Sequence, residues 1–159
     1  MQYVKGRVGG VANGLDIDLN LEDGVWTGHF GGRTGSDLRL EVDGAQARGR
    51  VGGARKGFDV NATLVPQRVV ARLGGLVGGD NVELEVGERV HGRFSGAVLG
   101  KDVNLEAEGN ALTGIRLHGR IGGALDGKDV LVATNYSSGL AALAAVLAFK
   151  LLEDGPNQA

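Results

Sequence analysis

GRVGG at 6–10, followed by LDIDLNLE at 15–22, decides the fold of this chain, because that pair of segments is written six times over. The glycine core recurs as GHFGG at 28–32, GRVGG at 49–53, ARLGG at 71–75, GRFSG at 92–96 and GRIGG at 119–123. Successive starts lie 22, 21, 22, 21 and 27 residues apart. A fixed short period means that one supersecondary unit has been copied in tandem. The second halves read SDLRLEV (36–42), FDVNATLV (58–65), DNVELEV (80–86), KDVNLEAE (101–108) and KDVLVAT (128–134). Strict polar/apolar alternation is the pattern of a strand with one buried face. The glycine-rich turn between the two halves marks a hairpin. Six hairpins predict a mainly β chain, a twelve-stranded antiparallel up-and-down barrel.

The register within one unit is legible as well. Pairing Arg7 with Asp16 sets Lys5 opposite Asp18 on one face, and Val8 opposite Leu15 and Gly6 opposite Ile17 on the other. One face becomes apolar and the other a row of opposite charges, as a half-buried antiparallel pair requires. The same offset of nine recurs at Arg50/Asp59, Arg93/Asp102 and Arg120/Asp129; Asn81 replaces the acid opposite Arg72, and His29/Asp37 is one residue shorter. The residue before the acid varies, as Leu15, Phe58 or Lys101, which places that level near a rim.

Residues 140–152 read LAALAAVLAFKLL, with Lys150 the only polar side chain. Ser137 or Ser138 is placed to cap a helix here, and Gly155 and Pro156 form a stop signal after it. A helix that is apolar all round is buried on all sides or lies in a membrane, and thirteen residues fall short of the roughly 20 that a bilayer asks for. Twelve strands enclose more space than their own side chains fill, since about eight is the number that closes on a packed interior. The helix, over 138–153, is therefore expected as a plug in the lumen. The glycines at 6 and 10, 28 and 32, 49 and 53, 92 and 96, and 119 and 123 are read as inward positions left clear for it. Residues 1–155 form one domain on this reading, with a disordered tail at 156–159.

Twelve antiparallel strands around a hydrophobic C-terminal helix resemble the tubby C-terminal-like fold, shared by tubby domains, phospholipid scramblases and LURP-one-related proteins. The closing segment SSGLAALAAVLAFKLLED (137–154) is similar in character to the central helix of the LURP-one group. The resemblance is one of architecture and covers essentially the whole chain. It implies a binding module with affinity for lipid or an anionic headgroup.

Composition narrows the remaining classes. With 17 basic and 19 acidic residues the net charge is −2, so no global basic field points to nucleic acid. The chain has no cysteine, which removes disulfide and thiol chemistry and fits a reducing, cytoplasmic setting. MQYVKGRV at the start reads as strand, with no apolar core of a signal peptide. Polar outer faces are the reverse of a membrane barrel. One Trp, two Tyr and four Phe are too few for aromatic-rich choline-binding hairpins.

Site chemistry is sparse. GGVANG and GGARKG lie between strands, not between a strand and a helix N-terminus, and are read as turns rather than phosphate loops. His29, His91 and His118 share the outward parity of the arginines and are read as surface residues, with no third ligand specified for a metal. Neither nucleophile nor acid pair stands out, so no enzyme activity and no cofactor are expected. The outward arginines are read mostly as exposed ion pairs. Near Arg48, Arg50, Arg68 and Arg72 the intervening strand offers only Asp59, then Asn61 and Thr63, which leaves a basic patch for a phosphate or anionic headgroup. The expected function is a non-catalytic binding or scaffold barrel whose partner is an anionic lipid headgroup or a protein. Closure, with residues 3–8 pairing with 130–134, predicts a monomer. The alternative is an open sheet that self-associates through its unpaired first and last strands.

Overall fold

Each strand of this protein pairs antiparallel with the next, and the last pairs with the first. The computed structural model describes residues 1–31, 35–75, 78–95, 100–123 and 125–154. In chain order the elements are β1 (Gln2–Gly9), β2 (Gly14–Glu22), β3 (Val25–Phe30), β4 (Ser36–Asp43), β5 (Gln46–Gly52), β6 (Gly57–Val65), β7 (Arg68–Leu73), β8 (Asp80–Val86), β9 (Arg89–Ser95), β10 (Gly100–Asn110), β11 (Gly114–Ile121), β12 (Lys128–Thr134) and α1 (Ser138–Asp154). The expected clearance at Gly32 and Gly96, the stop at Gly155 and Pro156, and the tail at 156–159 lie outside the described residues.

The register is the one the charges dictate. Arg7 faces Asp16, Lys5 faces Asp18, and Gly6 faces Ile17. Arg50 faces Asp59, Arg72 faces Asn81, Arg93 faces Asp102, Arg120 faces Asp129, and His29 faces Asp37. Closure runs from Val4 opposite Thr134 to Val8 opposite Val130. Side chains peg this seam. The Thr134 hydroxyl donates to the Tyr3 carbonyl at 2.6 Å, while the Asn135 side chain accepts from the Tyr3 amide at 2.9 Å and donates to the Met1 carbonyl at 2.9 Å. Among the described residues no strand edge is left open to pair with another chain.

Inside the wall lies α1. Alanine and leucine are strong helix formers, and the Ser137 hydroxyl caps the start by accepting from the Leu140 amide at 3.1 Å. Every residue from 139 to 151 is buried. The helix packs most closely on β12, β1, β11 and β2 and also touches β6, β7, β8 and β9, so the wall surrounds it. Five alanines, at 141, 142, 144, 145 and 148, keep the cylinder narrow enough to fit, while Leu143, Leu147 and Phe149 fill the remaining gaps. Each such large side chain contributes roughly 1.5–3 kcal/mol by leaving water. Two aromatic contacts tie the wall to the ends of the helical segment: Trp26 meets Tyr136 edge-on at 5.3 Å between centroids, and Phe94 meets Phe149 at 5.8 Å.

The glycines do something other than make room for the helix. A Cβ on Gly6 would stand 2.2 Å from the Leu131 carbonyl oxygen, and one on Gly49 would stand 1.8 Å from that of Arg39. Gly28, Gly92 and Gly119 meet the neighbouring strand in the same way. These positions let adjacent strands approach where the sheet coils into a cylinder, the close backbone approach for which strand glycine is suited. Gly10, Gly53 and Gly123 are not inward at all; they are exposed in the turns. The first residue of the glycine pair reverses the chain instead, with φ between 88° at Gly52 and 95° at Gly74, a region that disfavours any side chain.

Candidate functional site

The two ends of the barrel differ. One carries short hairpins such as 23–24, 44–45 and 66–67 and receives the N-terminus of α1. There a depression of about 530 Å3 is lined by Val42, Leu64, Val86, Tyr136 and Gly139, among others. The other end carries the glycine turns and the C-terminus of α1, and most of the barrel's charged side-chain contacts gather near it.

Four of the repeat arginines at that end, Arg7, Arg50, Arg72 and Arg120, have two tasks. The Arg50 Nη1 donates to Asp59 Oδ1 at 2.8 Å, and its Nε donates to the Gly53 carbonyl at 2.9 Å. Arg7 likewise holds Asp16 at 2.7 Å and the Gly10 carbonyl at 2.7 Å. Arg72 holds Asn81 at 2.9 Å and Gly75 at 2.9 Å, and Arg120 holds Asp129 at 2.6 Å and Gly123 at 3.2 Å. The arginine three residues before the second glycine thus braces its own turn. The expected ion pairs are present, each contributing about 0–1 kcal/mol as exposed pairs do. The brace to the turn carbonyl was not read from the sequence, although the constant spacing of Arg and Gly-Gly is its signal.

The four residues of the expected basic patch divide. Arg48 on β5 and Arg72 on β7 both face Asn61 on β6, so the three stand in one row across adjacent strands. The arginine backbones are then about 10 Å apart, two strand spacings. Arg48, which also stands opposite Glu41 on β4, is exposed, and its side chain makes no hydrogen bond or ion pair among the described residues. Arg50 lies one outward position further along β5 and is held by Asp59. Arg68 turns away from the row toward β8, where it meets Glu85 at 2.7 Å and Glu83 at 3.8 Å. Residues 46–75 carry six cations against Asp59 alone, a net of +5 within a chain of net −2.

The histidines occupy the outer wall. His29 Nδ1 and Asp37 Oδ1 are 2.6 Å apart. His118 lies 3.5 Å from Glu108 and 3.7 Å from Glu106, and His91 lies on β9, on the other side of β10. Among the described residues no group of three His, Cys, Asp or Glu side chains could hold a metal ion.

At the rim the structure brings together residues that sequence reading left apart. Leu15, Ser36, Phe58, Asp80, Lys101 and Lys128 occupy equivalent places in the six copies, each just before the outward acid or its replacement. Lys101 points to the C-terminus of α1, as do Phe58 and Asp80. Lys150 donates to Asp80 at 2.6 Å, approaches Asp154 at 3.0 Å and lies 5.1 Å from the centre of the Phe58 ring. Lys101 meets Asp126 at 2.7 Å and Glu153 at 3.7 Å. Burial opposes the charge on Lys150, yet the hydrogen bonds to Asp80 and Asp154 outweigh it and hold its pKa above the usual lysine value. The hydrogen bond to Asp126 raises Lys101, and the same bond lowers Asp126. Desolvation pushes Glu153 up. Among the described residues, Asp80 Oδ1 and Trp26 Nε1 are buried without a hydrogen-bond partner.

Comparison of the chain with protein-family models, with curated proteins and with solved structures finds no match. Among the described residues no helix is long and apolar enough to cross a membrane.

Proposed function

We propose that this protein is a non-catalytic binding barrel, working in the cytoplasm, whose ligand is an anionic lipid headgroup met by the positive sector of β5, β6 and β7. The observation that carries this reading is the segregation of charge: a net of +5 over residues 46–75, with Arg48 standing between Glu41 on β4 and Asn61 on β6 and its side chain in no ion pair among the described residues. A basic residue near an anionic leaflet contributes about 1 kcal/mol, so a sector of this size suffices for reversible adsorption. The tubby-like relationship is proposed on architecture, and the closed barrel around an apolar helix supports it. Self-association through open edges has no comparable support, because β1 and β12 pair with each other.

Adsorption to vesicles of phosphatidylcholine with phosphatidylserine is expected, weakening as salt is raised. Arg48→Glu combined with Asn61→Asp should abolish it, since both side chains are exposed and neither braces a turn. Sedimentation with vesicles is the measurement. Binding that the double variant leaves unchanged would remove the headgroup reading.

A further inference from the structure

Six copies of one turn serve as internal controls for what the fold requires. The residues that follow the glycine pair read VAN at 11–13 and ALDG at 124–127, but ARK at 54–56. Of the six turns, only this one carries two adjacent cations. Turn geometry does not demand them, because the first copy makes the equivalent turn with neutral residues. The side chains of Arg55 and Lys56 are exposed and make no hydrogen bond or ion pair among the described residues.

These cations are mounted on a rigid base. Arg50 binds the carbonyls of Gly53 and Ala54 at 2.9 and 3.4 Å, and the Gly53 amide donates to the Lys56 carbonyl at 2.8 Å. Across from the turn lies the start of β4. Gly35, Ser36 and Asp37 on that side, with Gly52, Gly53, Ala54, Arg55 and Lys56 on the other, line a cleft of about 630 Å3. A Cβ on Gly53 would meet nothing within 4 Å, so its surroundings are open. The Ser36 hydroxyl makes no hydrogen bond among the described residues, whereas Asp37 is engaged by His29 at 2.6 Å. The lining therefore carries two unengaged cations, one unengaged hydroxyl and one carboxylate that already has a partner.

We propose that this cleft binds a phosphomonoester, with Arg55 and Lys56 on the phosphate oxygens and the Ser36 hydroxyl as a further donor. The guanidinium supplies a planar two-pronged contact and the ammonium a point charge, the combination suited to a dianion with three acceptor oxygens. The site rests on the anion-binding reading above and narrows it from a charged wall to a cavity. Its ligand is either a soluble phosphomonoester or the exposed phosphate of a lipid such as phosphatidic acid; the chemistry at the cleft is the same.

Amide chemical shifts of the full chain report on this directly. Glycerol 3-phosphate should move the signals of Ser36, Gly53, Arg55 and Lys56 along a saturable curve. Arg55→Gln with Lys56→Gln should weaken that binding by about ten-fold or more, the effect of losing at least one charge-assisted contact, with an unchanged melting temperature. Saturation by glycerol 3-phosphate assigns a soluble ligand. Binding only to phosphatidylcholine vesicles that contain phosphatidic acid, lost in the same double variant, assigns a lipid. Equal shifts from sodium chloride at matched ionic strength would overturn the cleft. If only the signals of Arg48, Asn61 and Arg72 move, with Ser36, Gly53, Arg55 and Lys56 unchanged, the positive sector stands and the cleft falls. If no anion moves either set, both readings fall.

Discussion

A chain ended at Ser138 is expected to lose its cooperative melt and its near-ultraviolet circular dichroism. The helix is not an appendage to a finished barrel: Leu143, Val146, Leu147 and Phe149 are essentially inaccessible to water and are the inner half of the only core cluster described. Twelve strands cannot collapse onto one another to fill the space, because a cylinder of that size has a lumen wider than its side chains. Truncation therefore exposes Val4, Leu19, Leu84, Leu105 and Leu117 along with the rest of the inner face. It also removes the helical partner of the Phe94 ring. A milder variant gives a graded version of the same result. Leu143→Ala should cost about 2–5 kcal/mol, the range for a large side chain deleted from a packed core. A truncated chain that melted cooperatively at the original temperature would mean that the wall is stable alone.

Lys150→Met is expected to be the most damaging single exchange of a charged residue, at about 3–5 kcal/mol. It leaves Asp80, with its side chain only 5% exposed, as a buried carboxylate whose Oδ1 already lacks a partner. Asp80→Leu alone should be gentler. Lys150 then keeps Asp154 at 3.0 Å, and that carboxylate is 30% exposed. Combining the two should restore stability to at least the original value, because well-packed apolar side chains commonly equal or better a buried ion pair. The rim accepts such residues: Leu15 and Phe58 hold the equivalent place in two other copies. Denaturant titration of the three variants forms a double-mutant cycle. A double variant as unstable as Lys150→Met would show that the pair is not an isolated unit.

These two effects divide along what the sequence made legible. Strand count, register and the closing seam followed from period and charge, because each repeat states the same pairing and the copies check one another. Arg7 opposite Asp16 is as readable as Arg120 opposite Asp129. The burial of α1 followed from a helix without a polar face. The partner of Lys150 stayed hidden. Asp80 was visible as the head of DNVELEV, one residue before the Asn81 that replaces the usual acid, yet an inward acid in one copy of six looks like drift until a buried lysine faces it. The glycines were misassigned for a different reason. A Gly on the inner face reads as space for something within, whereas curvature brings the neighbouring strand's own carbonyls into that space, as at Gly6 and Gly49. Of the four arginines assigned to a basic patch, pairing across one strand was readable for Arg48 and Arg72. The register that sets Arg72 opposite Asn81 also sets Arg68 opposite Glu85, so that ion pair was legible too once β8 was considered beside β6.

Hydrogen exchange of the intact chain tests the enclosed helix most directly. If α1 is core, the amides of residues 142–151 exchange as slowly as those of β1 and β12, all through global unfolding. Helix amides that exchange many-fold faster than a protected barrel would contradict the account.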